Sequence, residues 1–372
     1  MDNRIKLDKE IEKKPEVKDI KQINCNRIYR LLSKNNGLSR QDICKQLHLS
    51  LPTVNQNLSE LLAEGLITDS ESIGNTGGRR AQAFSIVEDA RLAIGMEVSQ
   101  NHLTIVVVDL LGEVRYSKRI QCDFTLVTDY YEAVGELIEE TVQEAGLTEK
   151  NILGVGIAVS DSRQERNGPL VDDAEEMKSR VSLPVQLFHA VAAAGFAEMQ
   201  NHPEMEDAFY LMLSNSVEGA VYIDGRQYYG RNGCSGCVGH MTLMPEGRQC
   251  ACGRYGCVEA YCAASALTKG SLQMFFQQLQ AGEPEAREQF QVYLKHLAML
   301  LRNLQLLFDV PIIIGGYIGN FIEPYLPELR KQIGITSFAK EKERGLYSCT
   351  YRKEASAVGA AMCFIKDFVD AI

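Results

Sequence analysis

The pattern of apolar and polar residues in the first quarter of the chain predicts three short helices. The first helix starts near residue 22 and stops at Asn36-Gly37, a pair that commonly ends helices. Ser39 and Ser50 stand where N-caps belong, so they mark the starts of the second and third helices, and Pro52 fits the first turn of the third. The residues expected on the buried faces are Ile23, Ile28, Leu31 and Leu32 in the first helix, Ile43 and Leu47 in the second, and Val54, Leu58, Leu61 and Leu62 in the third.

A turn of three residues, His48-Leu49-Ser50, joins the second and third helices, and this is the helix-turn-helix arrangement. Two strand-like runs, 66–68 and 83–87, lie on either side of a glycine-rich segment, so they predict a wing. The third helix would lie in the major groove of an operator in double-stranded DNA, where amide side chains pair with base edges. The alternative is a three-helix protein-interaction module with a hairpin. The residues predicted to contact DNA are Leu51, Thr53, Asn55 and Gln56 on the third helix and Arg79 and Arg80 at the wing tip.

From about Ala90 onwards, strand-like and helix-like segments alternate, which is typical of an α/β fold. Three β-branched runs predict a meander that is followed by a long amphipathic helix and a buried strand. The predicted strands are 92–98, 103–109, 113–120, 152–159, a strand near residue 185, 209–213, 219–223 and 311–314, and the predicted helices are 129–145, one ending near 198, one ending near 308 and one starting near 355.

Composition separates a small basic segment from an acidic body. The 372-residue chain has a net charge of −10, but residues 21–87 hold eight basic and five acidic residues and are therefore positive. The chain is long enough for two or three domains, and no apolar run is long enough to cross a membrane. We expect a charged lead-in (1–20), a DNA-binding domain (21–88) and a larger body (90–372). Eleven cysteines without a regular framework favour a reducing compartment, the cytoplasm.

A cluster of metal-type ligands lies at residues 240–257. One His and three Cys, namely His240, Cys250, Cys252 and Cys257, stand within eighteen positions, with two glycines that let the backbone turn tightly. Zn²⁺ in structural sites takes four such ligands and leaves no position for a reacting water, so the pattern predicts a structural zinc ion. The alternative is a set of buried, unconnected thiols beside a surface His, because Cys is among the most buried residue types.

The same segment resembles the signature of the ROK family, a group of bacterial sugar kinases and sugar-responsive repressors. Family members carry Gly-His and then C-x-C-G-x-x-G-C-x-E, which here occupy Gly239-His240 and residues 250–259. The resemblance covers nearly the whole chain, helix-turn-helix included, and matches the repressor branch. It implies an α/β protein in which an N-terminal winged helix-turn-helix precedes a duplicated ribonuclease-H-like fold, the fold of actin-like ATPases and sugar kinases.

The positions that bind nucleotide in the family's kinases depart from the family's pattern. The first phosphate loop, D-x-G-G-T, corresponds to residues 97–101, which have lost both glycines and include Gln100. The second glycine turn corresponds to residues 214–219 and carries Glu218, a negative charge where a triphosphate would lie. The Gly315-Gly316 adenosine turn remains, although any strand-to-helix corner can use such glycines.

The catalytic and sugar-binding positions depart as well. The family's N-D-A-N-A-A-A-x-A-E corresponds to residues 189–198, so Ala190 stands in place of the catalytic Asp. Loss of a general base costs about two to four orders of magnitude in rate, so the resemblance implies an inactive kinase. The residues that remain as candidates for a ligand cleft are His189, Cys237, His240 and Glu259, of which only the last two keep the family's residue type.

We therefore expect a DNA-binding transcriptional regulator, a repressor of carbohydrate-related genes. Its kinase-like body is expected to be catalytically inactive and to be stabilised by a structural zinc ion. The resemblance implies a homodimer or a dimer of dimers and a sugar or sugar-phosphate effector. One alternative is an active ATP-dependent sugar kinase with a DNA-binding module. Another is a redox- or metal-responsive regulator, because Cys234-x2-Cys237-x2-His240 adds two thiols beside the zinc ligands, although packing is the simpler explanation of those thiols.

Overall fold

The computed structural model describes residues 17–35, 37–71, 82–99, 102–121, 127–159, 180–334 and 345–372. The chain divides into two compact units. The first takes the residues up to Arg91 together with Asp109–Leu111 and Ile365–Ile372, and the second takes Leu92–Val108 and Gly112–Phe364. Arg79 and Arg80 of the predicted wing tip, Gln100 and nearly all of the predicted lead-in lie outside the described residues.

The first unit contains three helices and a small antiparallel sheet. The two longer strands pair with Ile67 opposite Ile86 and Glu71 opposite Gln82, and the strand order is β1-β3-β2. The predicted helix-turn-helix and the two strands of the wing are therefore present. The elements are α1 (Val17–Lys34), β1 (Leu38–Ser39), α2 (Arg40–Leu47), α3 (Leu51–Ala63), β2 (Ile67–Glu71) and β3 (Gln82–Ile86).

The two predicted N-caps are confirmed. Ser39 forms a capping box with Asp42, because Ser39 Oγ accepts the Asp42 N–H at 3.2 Å and Asp42 Oδ2 accepts the Ser39 N–H at 3.1 Å. Ser50 Oγ accepts the Thr53 N–H at 3.3 Å, and Pro52 lies in the first turn of α3. These local hydrogen bonds set where α2 and α3 begin, and they limit the turn between the two helices to three residues.

The expectation that Ile23 lies on the buried face of α1 is wrong, because its side chain is 51% exposed. The buried stripe consists of Cys25, Ile28, Tyr29 and Leu32, which follow the helical spacing of three and four residues. Ile23 precedes Ile28 by five residues, so it lies about 140° away around the helix axis, outside that stripe.

The second unit contains two five-stranded sheets with the same strand order. In each sheet, three strands that are consecutive in the chain lie side by side. Two later strands extend the sheet on the other side of the first of these three. In both sheets these last two strands run parallel to the first strand. The repeated order is a duplication, and it confirms the expected ribonuclease-H-like architecture. The strands are β4 (Leu92–Val98), β5 (His102–Asp109), β6 (Val114–Gln121), β7 (Ile152–Val159), β8 (Val185–His189), β9 (Ala208–Leu213), β10 (Val217–Ile223), β11 (Arg226–Tyr228), β12 (Ile312–Gly315) and β13 (Leu346–Ser348).

Helices pack on the sheets of this unit and form separate apolar cores with them. One core lies between the helix Val127–Glu144 and the first sheet. A larger core lies between the second sheet and a group of helices that includes Pro284–Phe308. None of the described helices combines the length and the apolar content that a membrane span needs. The helices are α4 (Val127–Glu144), α5 (Ala190–Asn201), α6 (Glu259–Cys262), α7 (Leu272–Ala281), α8 (Pro284–Phe308), α9 (Gly316–Ile322), α10 (Leu326–Ile333) and α11 (Ala355–Ala371).

The C-terminal helix α11 approaches the first sheet so closely that there is no room for a side chain on the strands beneath it. A Cβ atom on Gly95 of β4 would lie 1.9 Å from the carbonyl oxygen of Ala357, and one on Gly156 of β7 would lie 2.2 Å from that of Ala360. Glycine is therefore required at both positions by the close approach of the two backbones.

The last residues of the chain belong to the first unit and pack on α1. The side-chain amides of Gln22 and Asn26 donate to the backbone carbonyls of Ala371 and Val369, and Arg30 forms an ion pair with Asp370. Nothing in the local sequence pattern predicts this association, because its partners are more than 300 residues apart.

Candidate metal centre and nucleic-acid interface

The predicted metal ligands lie together in the second unit. The nitrogen or sulfur ligand atoms of His240, Cys250, Cys252 and Cys257 are all within 4.8 Å of one another. Cys252 Sγ and Cys257 Sγ are 3.7 Å apart, and Cys250 Sγ is 3.9 Å from His240 Nδ1. Sulfur ligands at the usual zinc–sulfur distance of about 2.3 Å lie about 3.8 Å apart in a tetrahedral site. The four side chains are therefore close enough together that they could hold one metal ion.

Tight backbone turns bring these residues together. His240 ends a short 3-10 helix, Val238–His240, while the three cysteines stand on a folded loop. In that loop the Cys250 N–H donates to the Arg254 carbonyl at 2.8 Å, and the Gly253 N–H donates to the Cys250 carbonyl at 3.0 Å. Gly253 has a φ of +84°, a left-handed conformation that most other residues adopt only with strain.

The thiols of the cluster have different proton affinities. Burial raises the pKa of Cys250 to about 12 and also raises the pKa of Cys257. The hydrogen bond with the Arg254 backbone holds the pKa of Cys252 below its ordinary value. Because a metal binds thiolates, an ion entering this site would displace protons from at least Cys250 and Cys257 at neutral pH.

Two of the four predicted ligand-cleft residues lie next to this cluster. Glu259, the first residue of α6, places Oε1 at 3.8 Å from Cys250 Sγ, while Oε2 accepts the Val217 N–H at 3.4 Å. The structure thus brings Glu259 and His240 together around Cys250. His189 is the exposed last residue of β8, and Cys237 is the exposed residue just before the 3-10 helix.

Ala190, which we expect at the position of the family's catalytic Asp, has a buried side chain. Ala190 begins α5 and is 1% exposed, packed in the core that also contains Ala158 and Ala193. Glu198, which closes the same sequence motif, has a different environment. Its buried carboxylate accepts the N–H groups of Thr350 at 2.8 Å and Tyr351 at 3.2 Å, so it holds the segment before α11.

A group of polar side chains that the sequence did not identify surrounds Glu97, near the end of β4. Burial raises the pKa of Glu97 to about 7, against the opposing effects of Arg119 and a hydrogen bond with Ser356. The Arg119 guanidinium lies 5.6 Å from the centre of the Tyr317 ring, and Tyr317 directly follows Gly315-Gly316. Bulky side chains therefore stand beside Glu97 and directly after Gly315-Gly316.

The predicted base-contacting residues of α3 lie largely on its surface. Leu51, Asn55 and Gln56 are exposed, while Thr53 is half-buried. The Thr53 hydroxyl lies 2.8 Å from Ser50 Oγ, so it takes part in the N-cap of the helix. Exposed amides near the start of the second helix of a helix-turn-helix have the position from which base edges are read.

Comparisons with known proteins agree with this two-part organisation. The model described as "ROK family" matches residues 93–367, and that described as "Winged helix-turn-helix DNA-binding" matches residues 26–68.

Curated relatives of the chain include repressors. A "Putative xylose repressor" of Caldicellulosiruptor sp. (strain Rt8B.4) is 26% identical over 261 residues, which are 67% of this chain and 65% of that relative. The "DNA-binding transcriptional dual regulator NagC" of Escherichia coli (strain K12) is 28% identical over 282 residues, 71% of this chain and 68% of that protein. The matched region thus spans about two thirds of the length of these relatives.

A solved structure supports the fold over nearly the full length. A crystal structure described as "ROK family transcriptional regulator, homolog of E.coli MLC protein" has a TM-score of 0.75 and is 22% identical, covering 95% of this chain and 97% of that one. At this identity the likeness concerns the fold.

The raised pKa of Glu97 predicts a pH-dependent stability. In the unfolded chain the carboxyl loses its proton near pH 4.5, but in the folded chain it does so only near pH 7. The folded state therefore binds more protons between these values, and stability falls as pH rises from 4.5 to 7. We expect Glu97→Gln to unfold at higher denaturant concentration than wild type at pH 8, by about 1–3 kcal/mol, with the difference vanishing toward pH 5.

The matched control is Glu285→Gln, which removes an exposed carboxylate from α8. Urea denaturation of the three proteins at pH 5, 6, 7 and 8 measures the effect. If the stability difference between Glu97→Gln and wild type does not change with pH, the pKa of Glu97 is not raised in the folded protein.

Proposed function

The chain belongs to the ROK family, and on that premise we propose that it is a DNA-binding transcriptional repressor of carbohydrate-related genes. The observation that carries the proposal is the winged helix-turn-helix of the first unit, whose α3 exposes Leu51, Asn55 and Gln56. The names of the relatives, a xylose repressor and the regulator NagC, support the assignment to sugar-related genes.

The roles that we propose for the DNA-binding residues follow from their chemistry. Asn55 and Gln56 read base edges in the major groove, while Leu51 and the methyl group of Thr53 make apolar contacts with thymine methyls. Arg79 and Arg80 bind phosphates or the minor groove. We assign DNA binding to a domain of residues 21–88. Residues 90–372 form a separate, larger body.

We propose that the body does not phosphorylate sugars. No proton can be taken from a sugar hydroxyl by the buried methyl of Ala190, and Glu97, Arg119 and Tyr317 place bulk and charge near the nucleotide turns. Glu218 adds a further negative charge on β10. The runner-up is an active sugar kinase with a DNA-binding module, because the family contains sugar kinases as well as repressors.

We propose that the cluster of His240, Cys250, Cys252 and Cys257 holds one structural zinc ion. Three sulfurs and one imidazole nitrogen suit zinc, and four protein ligands leave no open position for catalysis. Bound zinc would tie the 3-10 helix to the loop that carries the cysteines, which is a contribution to folding. The need for thiolates favours a reducing compartment, the cytoplasm.

We further propose a homodimer or a dimer of dimers that responds to a sugar or sugar phosphate. A symmetric protein pair matches a near-palindromic operator, since one helix-turn-helix contacts only a few base pairs. His189, Cys237, His240 and Glu259 are the residues assigned to the effector cleft. The polar side chains among them suit a hydroxyl-rich ligand.

The zinc proposal predicts about one zinc ion per purified chain, measured by elemental analysis. Cys252→Ala should lose the metal and unfold at lower temperature, whereas Cys363→Ala, which removes a half-buried thiol outside the cluster, should keep it. Since burial raises the pKa values of Cys250 and Cys257, zinc affinity measured against a chelator should fall as pH is lowered. Folded protein that contains no zinc would end the proposal.

The DNA proposal predicts two classes of mutant. Asn55→Ala or Gln56→Ala should relax sequence preference, with a loss of about 1–3 kcal/mol on the selected site. Arg79→Ala combined with Arg80→Ala should weaken binding to all sequences and reduce the salt slope by about one to two units. Selection from a random duplex pool, followed by titrations at several salt concentrations, measures both effects.

The matched control for the DNA experiment is Gln278→Ala, which removes an exposed amide from a helix of the body. It should bind like wild type. Absence of any binding at low salt, or identical behaviour of the two mutant classes, would refute the assigned roles.

The proposal also predicts that the purified protein has no kinase activity. No ADP should form from ATP in the presence of any common hexose or amino sugar. Ala190→Asp alone should not restore turnover, because the new carboxylate would have no seated phosphate to act with. A sugar-dependent ADP signal that follows the protein through purification would favour the kinase, and a restored rate in Ala190→Asp would mean that the nucleotide site is intact.

A further inference from the structure

Two cysteines outside the metal cluster have unusual exposure. Cysteine side chains are usually buried. Among the ten cysteines that the structure describes, Cys234 and Cys237 are the two exposed ones. Neither belongs to the set of ligand atoms around His240.

The backbone places these two cysteines at the ends of one tight turn. The Cys237 N–H donates to the Cys234 carbonyl at 3.4 Å, and Gly236 between them has a φ of +89°. A hydrogen bond from residue i+3 to residue i with a positive φ at i+2 is the pattern of a type II turn, in which the end Cα atoms are less than about 7 Å apart. A disulfide needs Cα atoms about 4.4–6.8 Å apart, so the Cα spacing of such a turn suits a disulfide between its two end residues.

The turn is held in place by the neighbouring strand β10. The Gly219 N–H donates to the Gly236 carbonyl at 2.8 Å, and a Cβ on Gly236 would lie 2.0 Å from the Gly219 carbonyl oxygen. Cys237 itself has φ −68° and ψ 50°, and the Val238 N–H donates back to Gly236 at 2.6 Å, as in an inverse γ-turn. The two thiols are thus presented by a backbone with defined geometry.

We propose that Cys234 and Cys237 form a reversible intramolecular disulfide when the protein meets a hydroperoxide, so that this turn is a redox modification site. The proposal goes beyond the function proposed above, because it requires neither DNA nor a sugar.

The reaction balances with a hydroperoxide as the two-electron oxidant. One sulfur attacks a peroxide oxygen, an S–O bond forms while the O–O bond breaks, and the other oxygen leaves as an alcohol or as water. The second sulfur then attacks the sulfenic sulfur, an S–S bond forms, and the hydroxyl leaves as water. The two thiol hydrogens leave in these products, and exchange with a dithiol restores the reduced pair.

The disulfide would change chemistry at the surface more than it would change stability. A bond that closes a loop of four residues removes little entropy from the unfolded chain. However, the Cys237 carbonyl accepts the His240 N–H at 3.4 Å, so the turn is continuous with the 3-10 helix that carries a metal ligand. Oxidation would remove two exposed thiols next to that helix.

The test is peptide mapping of the whole protein after treatment with hydrogen peroxide. Trypsin cleaves after Arg231 and Arg248, and the peptide 232–248 contains Cys234 and Cys237 and no other cysteine. The three cluster cysteines fall in other peptides. After remaining thiols are alkylated, we expect peptide 232–248 without alkyl groups and with two hydrogen atoms fewer than its reduced form, while zinc stays bound. Dithiothreitol should restore the two hydrogen atoms. Oxidation of Met241 or Met244 is distinguished from disulfide formation because it adds the mass of oxygen.

Two variants and a matched control complete the experiment. In Cys234→Ser and in Cys237→Ser the loss of two hydrogens should disappear, and a sulfenic-acid probe should label the remaining thiol. Both positions are exposed, so serine should leave the thermal melt unchanged. Cys363→Ser should behave like wild type.

Three results would overturn the proposal. The first is an alkylated, fully reduced 232–248 peptide after peroxide treatment. The second is a disulfide from either cysteine to another cysteine or to a second chain. The third is oxidation of this pair only after the cluster cysteines have been oxidised and the metal released.

Discussion

The second unit depends on the close contact between α11 and the sheet beneath it. Because Gly95 and Gly156 have no side chains, backbone carbonyls of the helix reach the strands directly. Gly359 of α11 makes a similar close backbone contact with α5, where a Cβ would lie 1.7 Å from the Ala193 carbonyl oxygen. The layer of small residues leaves no space that could absorb a larger side chain without backbone movement.

Glu198 and Ala190 lie toward opposite ends of α5 and contribute to the fold in different ways. Glu198 on α5 accepts the Thr350 and Tyr351 N–H groups in the segment that leads into α11, so its loss would remove both of these hydrogen bonds. Ala190, at the other end of the same helix, only packs in the core, and the fold does not need an Asp there.

The metal cluster and the dithiol turn lie on consecutive pieces of one chain segment, but their chemistry differs. The cluster thiols face one another within 4.8 Å and suit a shared ion, whereas Cys234 and Cys237 are exposed and separated by a single turn.

The sequence by itself determined the features that depend on neighbouring residues. The caps at Ser39 and Ser50, the helix-turn-helix and the cluster of one His and three Cys all use short spacings, so local geometry decides them. Only the tertiary structure decided the contacts between distant segments. Glu97, Arg119 and Tyr317 come from three separate elements, and the C-terminal residues reach α1 from the far end of the chain. The burial of Glu97, and with it the rise of its pKa, depends on this packing, which periodicity does not encode.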